Sequence, residues 1–179
     1  MASVAPQLGS LSDITLPNVK ASCWTASWIT ALQSLTRLCM NGFSIRAIPG
    51  NDVLQRLRRL RALDIRVTRD AVAMQLAHLT DLRDLRLSFG KAGSAPSCDA
   101  LAIVLHSCRQ LSRLHFTFAQ AFAVTTELLF SFAGLESLED LQINSFDVSQ
   151  LPADCLRPLS ALQSLRCVEL SGMNRLENK

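Results

Sequence analysis

The chain contains no tyrosine and only two tryptophans among its 179 residues. Binding hot spots concentrate Trp, Tyr and Arg, so a partner surface here has to rely on arginine. Histidine is scarce too, with three copies. His78, His106 and His115 are scattered, and no HExxH pairs two of them on one helix face, so no zinc site is expected. No GxSxG elbow is present. FGKAGS around Gly90 and Lys91 lacks the preceding glycine and the glycine–lysine–Ser/Thr order of a phosphate loop. None of the six cysteines forms a CxxC pair, and several sit in apolar triplets. A reduced, cytoplasmic setting is therefore expected rather than a disulfide framework. No stretch approaches about 18 uncharged apolar residues, so no membrane span is expected. The opening MASVAPQLGSLSD has neither the basic start nor the apolar core of a secretory signal. No catalytic set, cofactor or small-molecule substrate is implied.

What is present is apolar and repetitive. Apolar residues make up 49% of the chain, too many for a disordered one, and 179 residues suffice for one domain with a sizeable core. The net charge of +3 is mild. It gives no reason to expect nucleic acid or an anionic membrane as partner.

Leucines 79, 82, 85 and 87 step by three, three and then two. Neither an amphipathic helix nor a half-buried strand keeps that spacing throughout. The same step recurs in LGSLSDITLPNV from Leu8, LQSLTRLCMNGF from Leu32 and LRRLRALDIRVT from Leu57. It returns in LTDLRDLRLSFG from Leu79, CRQLSRLHFTFA from Cys108, LESLEDLQINSF from Leu135 and LQSLRCVELSGM from Leu162. The final apolar–x–apolar pairs are Ile14/Leu16, Leu38/Met40, Leu63/Ile65, Leu85/Leu87, Leu114/Phe116, Leu141/Ile143 and Val168/Leu170. They are 24, 25, 22, 29, 27 and 27 residues apart. Seven copies of one apolar template identify a repeat architecture.

These segments resemble the leucine-rich repeat family, whose core motif is L-x-x-L-x-L. The resemblance covers residues 8 to 173 and implies an α/β solenoid of about seven repeats, forming a single domain over 1–179. One short strand per repeat would line a concave face, with helices and turns on the convex side. Stacking is required because one repeat cannot bury its leucines alone. The family places Asn or Cys three residues after the last strand leucine. Here those positions hold Val19, Phe43, Thr68, Gly90, Ala119, Phe146 and Met173. An asparagine ladder is absent, so the turn backbone needs other partners. Neither end shows a distinct polar or disulfide cap, which predicts a fragment of a longer repeat protein or ends that dock elsewhere.

Helical spacing is clearest over 97–111, with Ser97 and Asp99 at its start. Helices are also expected over 123–135, capped by Thr125 or Thr126, over 69–79, capped by Asp70, and over 50–60, starting at Asn51 or Asp52. The span 23–32 is a weaker candidate. Pro152 and Pro158 predict loop or a short turn over 147–159.

Strand alternation points every second residue out of the concave face. The outward residues are Asp13, Thr15 and Pro17; Arg37, Cys39 and Asn41; Ala62, Asp64 and Arg66; Asp84, Arg86 and Ser88. Arg113, His115 and Thr117 follow, then Asp140, Gln142 and Asn144, then Cys167, Glu169 and Ser171. Asp64 should lie beside Arg86, and Arg113 between Asp84 and Asp140, so the charges largely cancel. His115 is otherwise a solvated strand residue. Cys39 and Cys167 lie five strands apart, too far to pair, and Cys98 and Cys108 are separated by a helix length.

QRLRRLRALDIRVTR sets Arg56, Arg58, Arg59, Arg61, Arg66 and Arg69 within 14 residues. The simple reading is a solvated face; the sharper one is a patch for an acidic partner. No aromatic residue interleaves with it, which disfavours single-stranded nucleic acid.

The resemblance implies protein–protein interaction without catalysis. The candidate partner-binding residues are Arg37, Arg66, Asp84, Arg86, Arg113, His115 and Gln142. LHSCRQLSRLHF is similar to the cysteine-containing repeats found beside F-box modules. A substrate-recognition arm of a ubiquitin ligase is therefore an alternative, as is the regulatory part of a larger enzyme. Only one of the seven copies carries that cysteine, and no F-box is present.

Overall fold

The computed structural model describes residues 9–16, 32–45, 54–90, 95–147, 151–152 and 154–172. Seven strands form one sheet: β1 (Asp13–Thr15), β2 (Arg37–Ile45), β3 (Ala62–Val67), β4 (Asp84–Phe89), β5 (Arg113–Ala123), β6 (Asp140–Asp147) and β7 (Cys167–Ser171). All neighbours pair in parallel, and spatial order follows chain order. Three helices cross between strands: α1 (Asp70–Leu76), α2 (Cys98–Ser107) and α3 (Thr126–Phe132). Short 3-10 turns at Leu54–Arg56 and Arg157–Ala161 take that place in two other repeats. This is a leucine-rich-repeat solenoid, an α/β coil whose strands stack by one repeat at a time.

The uneven leucine step has a local cause. In six repeats the backbone N–H of the second ladder residue donates to the carbonyl of the first. The pairs are Leu35 to Leu32, Leu60 to Leu57, Leu82 to Leu79, Leu111 to Cys108, Leu138 to Leu135 and Leu165 to Leu162, at 2.9–3.3 Å. A step of three is therefore one closed turn. The next residue bonds across to the previous repeat: Arg83 N–H donates to the Arg61 carbonyl at 2.8 Å, and Asp84 N–H shares that acceptor. From there the chain is extended and the step becomes two. Leu79, Leu82, Leu85 and Leu87 all end in the core, each at most 1% exposed.

The helices follow the expected positions with shifted limits. Ser97 caps α2 by accepting from Ala100 N–H at 3.2 Å, and Thr125 caps α3 by accepting from Leu128 N–H at 3.4 Å. Asp70 does not cap α1. The residue before the helix is Arg69, without a side-chain cap bond, and the Asp70 carboxylate reaches into the next repeat. There it accepts from Ser97 N–H at 2.7 Å and Ser97 Oγ at 2.9 Å. Only the turn Leu54–Arg56 is helical within the described part of 50–60, because Leu57 and Leu60 belong to the ladder turn. Asn51, Asp52 and nearly all of 23–32 lie outside the described residues. Of 147–159, residues 148–150 and 153 lie outside the described residues; the expected short turn is the 3-10 turn that begins at Arg157, where proline occupies a first-turn position.

At three of the positions without a bracing asparagine the strand runs on. Phe43, Ala119 and Phe146 lie inside β2, β5 and β6; Phe146 pairs with Phe122, while Phe43 and Ala119 fall in the unpaired stretches of two register slips. The extra length is absorbed by register slips. Cys39 pairs with Asp64 and Ser44 with Arg66, five residues against two; Thr117 pairs with Asn144 and Phe122 with Phe146, again five against two. Such bulges twist a strand without ending it. Beneath β4 and β5, Phe89, Phe118 and Phe122 stack in series at centroid distances of 4.5 and 4.2 Å. Phe116 meets Phe89 edge-on at 5.5 Å. These rings fill the core where strand length grew.

Candidate concave binding face

The register places the outward side chains in columns. The first runs Asp13, Arg37, Ala62, Asp84, Arg113, Asp140, Cys167. The second runs Thr15, Cys39, Asp64, Arg86, His115, Gln142, Glu169. The third runs Arg66, Ser88, Thr117, Asn144, Ser171. Every candidate residue thus lies on one face. Arg37, Asp84 and Arg113 share the first column, Arg86, His115 and Gln142 the second, and Arg66 heads the third. Pro17 lies outside the described residues.

Charges on this face are paired. Arg37 Nε lies 3.4 Å from Asp13 Oδ2. Asp84 serves two arginines, Arg86 Nε at 3.3 Å and an Arg113 terminal nitrogen at 3.7 Å. His115 Nε2 lies 3.1 Å from Asp140 Oδ2. The three Arg–Asp contacts are the ion pairs among the described residues, the His115–Asp140 contact is charged only with a protonated imidazole, and all four lie on the concave face. The expected neighbours hold in register, Asp64 beside Arg86 and Arg113 between Asp84 and Asp140, and the closest side-chain contacts then choose among them. Arg86 stands beside Asp64 in register, yet its Nε turns to Asp84, two residues back on its own strand. Asp140, in register with Arg113, engages His115 instead. Same-strand i, i+2 neighbours share a face; that spacing was the signal for Asp84 and Arg86.

Three features stand outside the candidate set, the first being the Cys39–Asp64 contact. The Cys39 thiol donates to the Asp64 carboxylate at 3.7 Å. Burial raises the Asp64 pKa above its ordinary 3.8, opposed in part by that thiol bond and by Arg86. Asp140 Oδ1 is buried without a hydrogen-bond partner among the described residues. Ala62 is the third. With only a methyl between Arg37 and Asp84, it leaves a dent of about 100 Å³ rimmed by Arg37, Cys39, Asp64, Asp84 and Arg86. A gap in a column of long side chains is legible only once the register is known.

Two thiols away from this face, Cys98 and Cys108, are structural. Cys108 is fully buried at the end of α2, and burial pushes its thiol up to about 12, so it stays protonated and inert. Burial raises the Cys98 thiol as well. The five described cysteines are all free. Among the described residues, no group of three or more His, Cys, Asp or Glu converges to hold a metal ion, and no helix is long and apolar enough to cross a membrane. On the convex side, Met74, Ile103 and Phe130 each sit five residues before a ladder residue and are 40%, 43% and 64% exposed.

Neither a family model nor a curated protein matches the sequence. Among solved structures, the chain is similar to internalin C2 from Listeria monocytogenes, with 14% identity and a TM-score of 0.47, over 94% of this chain and 84% of that one. The solenoid assignment rests on this chain's own sheet order and register.

Proposed function

We propose that this chain is a non-catalytic protein-interaction module working in a reducing, cytoplasmic setting. The partner would seat on the concave face through Arg37, Arg66, Asp84, Arg86, Arg113, His115 and Gln142. The observation that supports this reading is the paired array itself. Asp84 steadies Arg86 and Arg113, and Asp13 steadies Arg37, so the guanidinium groups are positioned before a partner arrives. Ordering side chains in advance lowers the entropic cost of association. Arg86 meets Asp84 through Nε, and Arg37 meets Asp13 the same way, so their terminal N–H groups are not the ones engaged in these contacts. The dent beside Ala62 supplies local relief on the sheet, sized for one small partner side chain.

Capture from cell lysate tests the proposal when run on three proteins in parallel: wild type, Arg86→Glu/Arg113→Glu, and Phe130→Ala on the convex side. Partners held by wild type and by Phe130→Ala, but lost from the double reversal, are the expected result. If the double reversal retains every partner, the concave-face reading fails. The identity of what is captured then assigns the role, whether a ubiquitin-ligase adaptor, a scaffold component or a catalytic subunit.

A further inference from the structure

Arginines off the concave face are arranged differently. The residue just before each strand belongs to a continuous backbone row along one edge of the sheet. Thr36, Arg61, Arg83, Ser112, Glu139 and Arg166 are joined in that order, each N–H donating to the carbonyl of the preceding member at 2.8 Å. Neighbours in the row are about one strand spacing apart, roughly 4.8 Å. The turns leading into β3, β4 and β5 present Arg58, Arg59, Arg61, Arg83 and Arg109 on this rim, all exposed, with Asp81 their one acidic neighbour in those turns. None of the ion pairs among the described residues involves these five arginines. Five positive charges against one negative give the three turns +4, more than the +3 of the whole chain. The basic charge is therefore concentrated here rather than spread for solubility. In the next turn the sign reverses, with Glu136 and Glu139 exposed.

From this geometry we infer that the rim is a second docking surface, for a polypeptide segment that carries an acidic run followed by basic residues. Carboxylates one helical turn apart, about 5.4 Å, match the spacing of Arg61 and Arg83. A partner whose sign changes along its length complements both Arg58–Arg83 and Glu136–Glu139. A nucleic acid does not: its uniform negative charge would meet the two glutamates. The rim also offers no aromatic ring for bases to stack on. The hydrogen-bonded row holds Arg61 and Arg83 side by side at no further ordering cost to the backbone.

The test uses the full chain and a fluorescently labelled synthetic peptide with a run of glutamates followed by a run of lysines. Anisotropy at low ionic strength should show saturable binding that weakens as salt rises. Arg61→Glu/Arg83→Glu should weaken it about tenfold or more, while Arg61→Lys/Arg83→Lys retains most of it and Phe130→Ala on the convex side leaves it unchanged. Circular dichroism would confirm that each variant is folded. Absence of saturable binding to wild type overturns the inference. So does equal binding by the folded Arg61→Glu/Arg83→Glu variant, or tighter binding of duplex DNA of equal anionic charge. Loss of peptide binding in the concave reversal alone would assign the peptide to the concave face and also overturn it.

Discussion

The concave sheet and the rim at its edge carry the same residue type in different company. Arg86 and Arg83 are three residues apart, one in β4 and one in the turn before it. Arg86 shares Asp84 with Arg113, and the acid-base columns on either side nearly balance. Arg83 is exposed, lies beside Arg61 through a backbone bond of 2.8 Å, and takes part in none of the ion pairs. Paired charges on a sheet add order and a little stability; clustered like charges subtract a little and are available to a ligand. Charged faces on one repeat scaffold can therefore do different things without any change in the core beneath them.

Both surfaces depend on that core, so the largest expected effect is on the ladder. Leu85→Ala empties a site that is 0% exposed and should destabilise by about 2–5 kcal/mol in urea unfolding. Val168→Ala, at the last strand and 48% exposed, should cost well under that, since its side chain is already half in water. Equal losses at the two positions would mean that the repeats do not share one graded core.

Next comes the charge reversal on the concave face. Arg86→Glu/Arg113→Glu removes both partners of Asp84 and sets like charges beside it, for an expected loss of about 1–2 kcal/mol. The matching change on the rim, Arg61→Glu/Arg83→Glu, should stay within about 0.5 kcal/mol of wild type and tend toward stabilisation, because it relieves repulsion. Thermal melts at low and high salt would show the contrast shrinking as salt rises. If both reversals destabilise equally, the distinction between paired and unpaired arginines is lost.

The smallest effect concerns Asp64. Burial raises its folded pKa above 3.8. The folded state therefore holds the proton more tightly than the unfolded chain does. The stability tied to that proton is full below the unfolded value and lost as pH rises through the folded one. Asp64→Asn should accordingly melt at or slightly above wild type at neutral pH, with the difference vanishing as pH falls below about 4. A lower melting temperature at neutral pH would make Asp64 a net stabilising partner of Arg86 instead.

Much of the frame was legible in the leucines. Their three-three-two step locates the turn, the crossover bond and the strand, and the outward columns follow from alternation except beyond Cys39, where the slip pairs Ser44 rather than Asn41 with Arg66. Less was legible where side chains choose among neighbours at similar distance. Asp70 could have capped its own helix and instead bonds Ser97 one repeat on. Asp140 could have taken Arg113 and took His115. Local spacing leaves such choices open, because two geometries satisfy the same carboxylate. Strand length was also hidden. Phe43, Ala119 and Phe146 stand where a turn-bracing asparagine was missing, and there the strands run on through register slips. The basic rim was visible only in part. Arg58, Arg59 and Arg61 cluster in sequence, but Arg83 and Arg109 join them through the stacking of repeats.

The most direct test is the affinity of a partner recovered by capture for three proteins: wild type, Arg86→Glu/Arg113→Glu and Phe130→Ala. The expected result is a loss of about tenfold or more with the concave reversal and no change with Phe130→Ala. Unchanged affinity in the folded concave variant, with loss in Phe130→Ala, would contradict it and assign binding to the helical side of the solenoid.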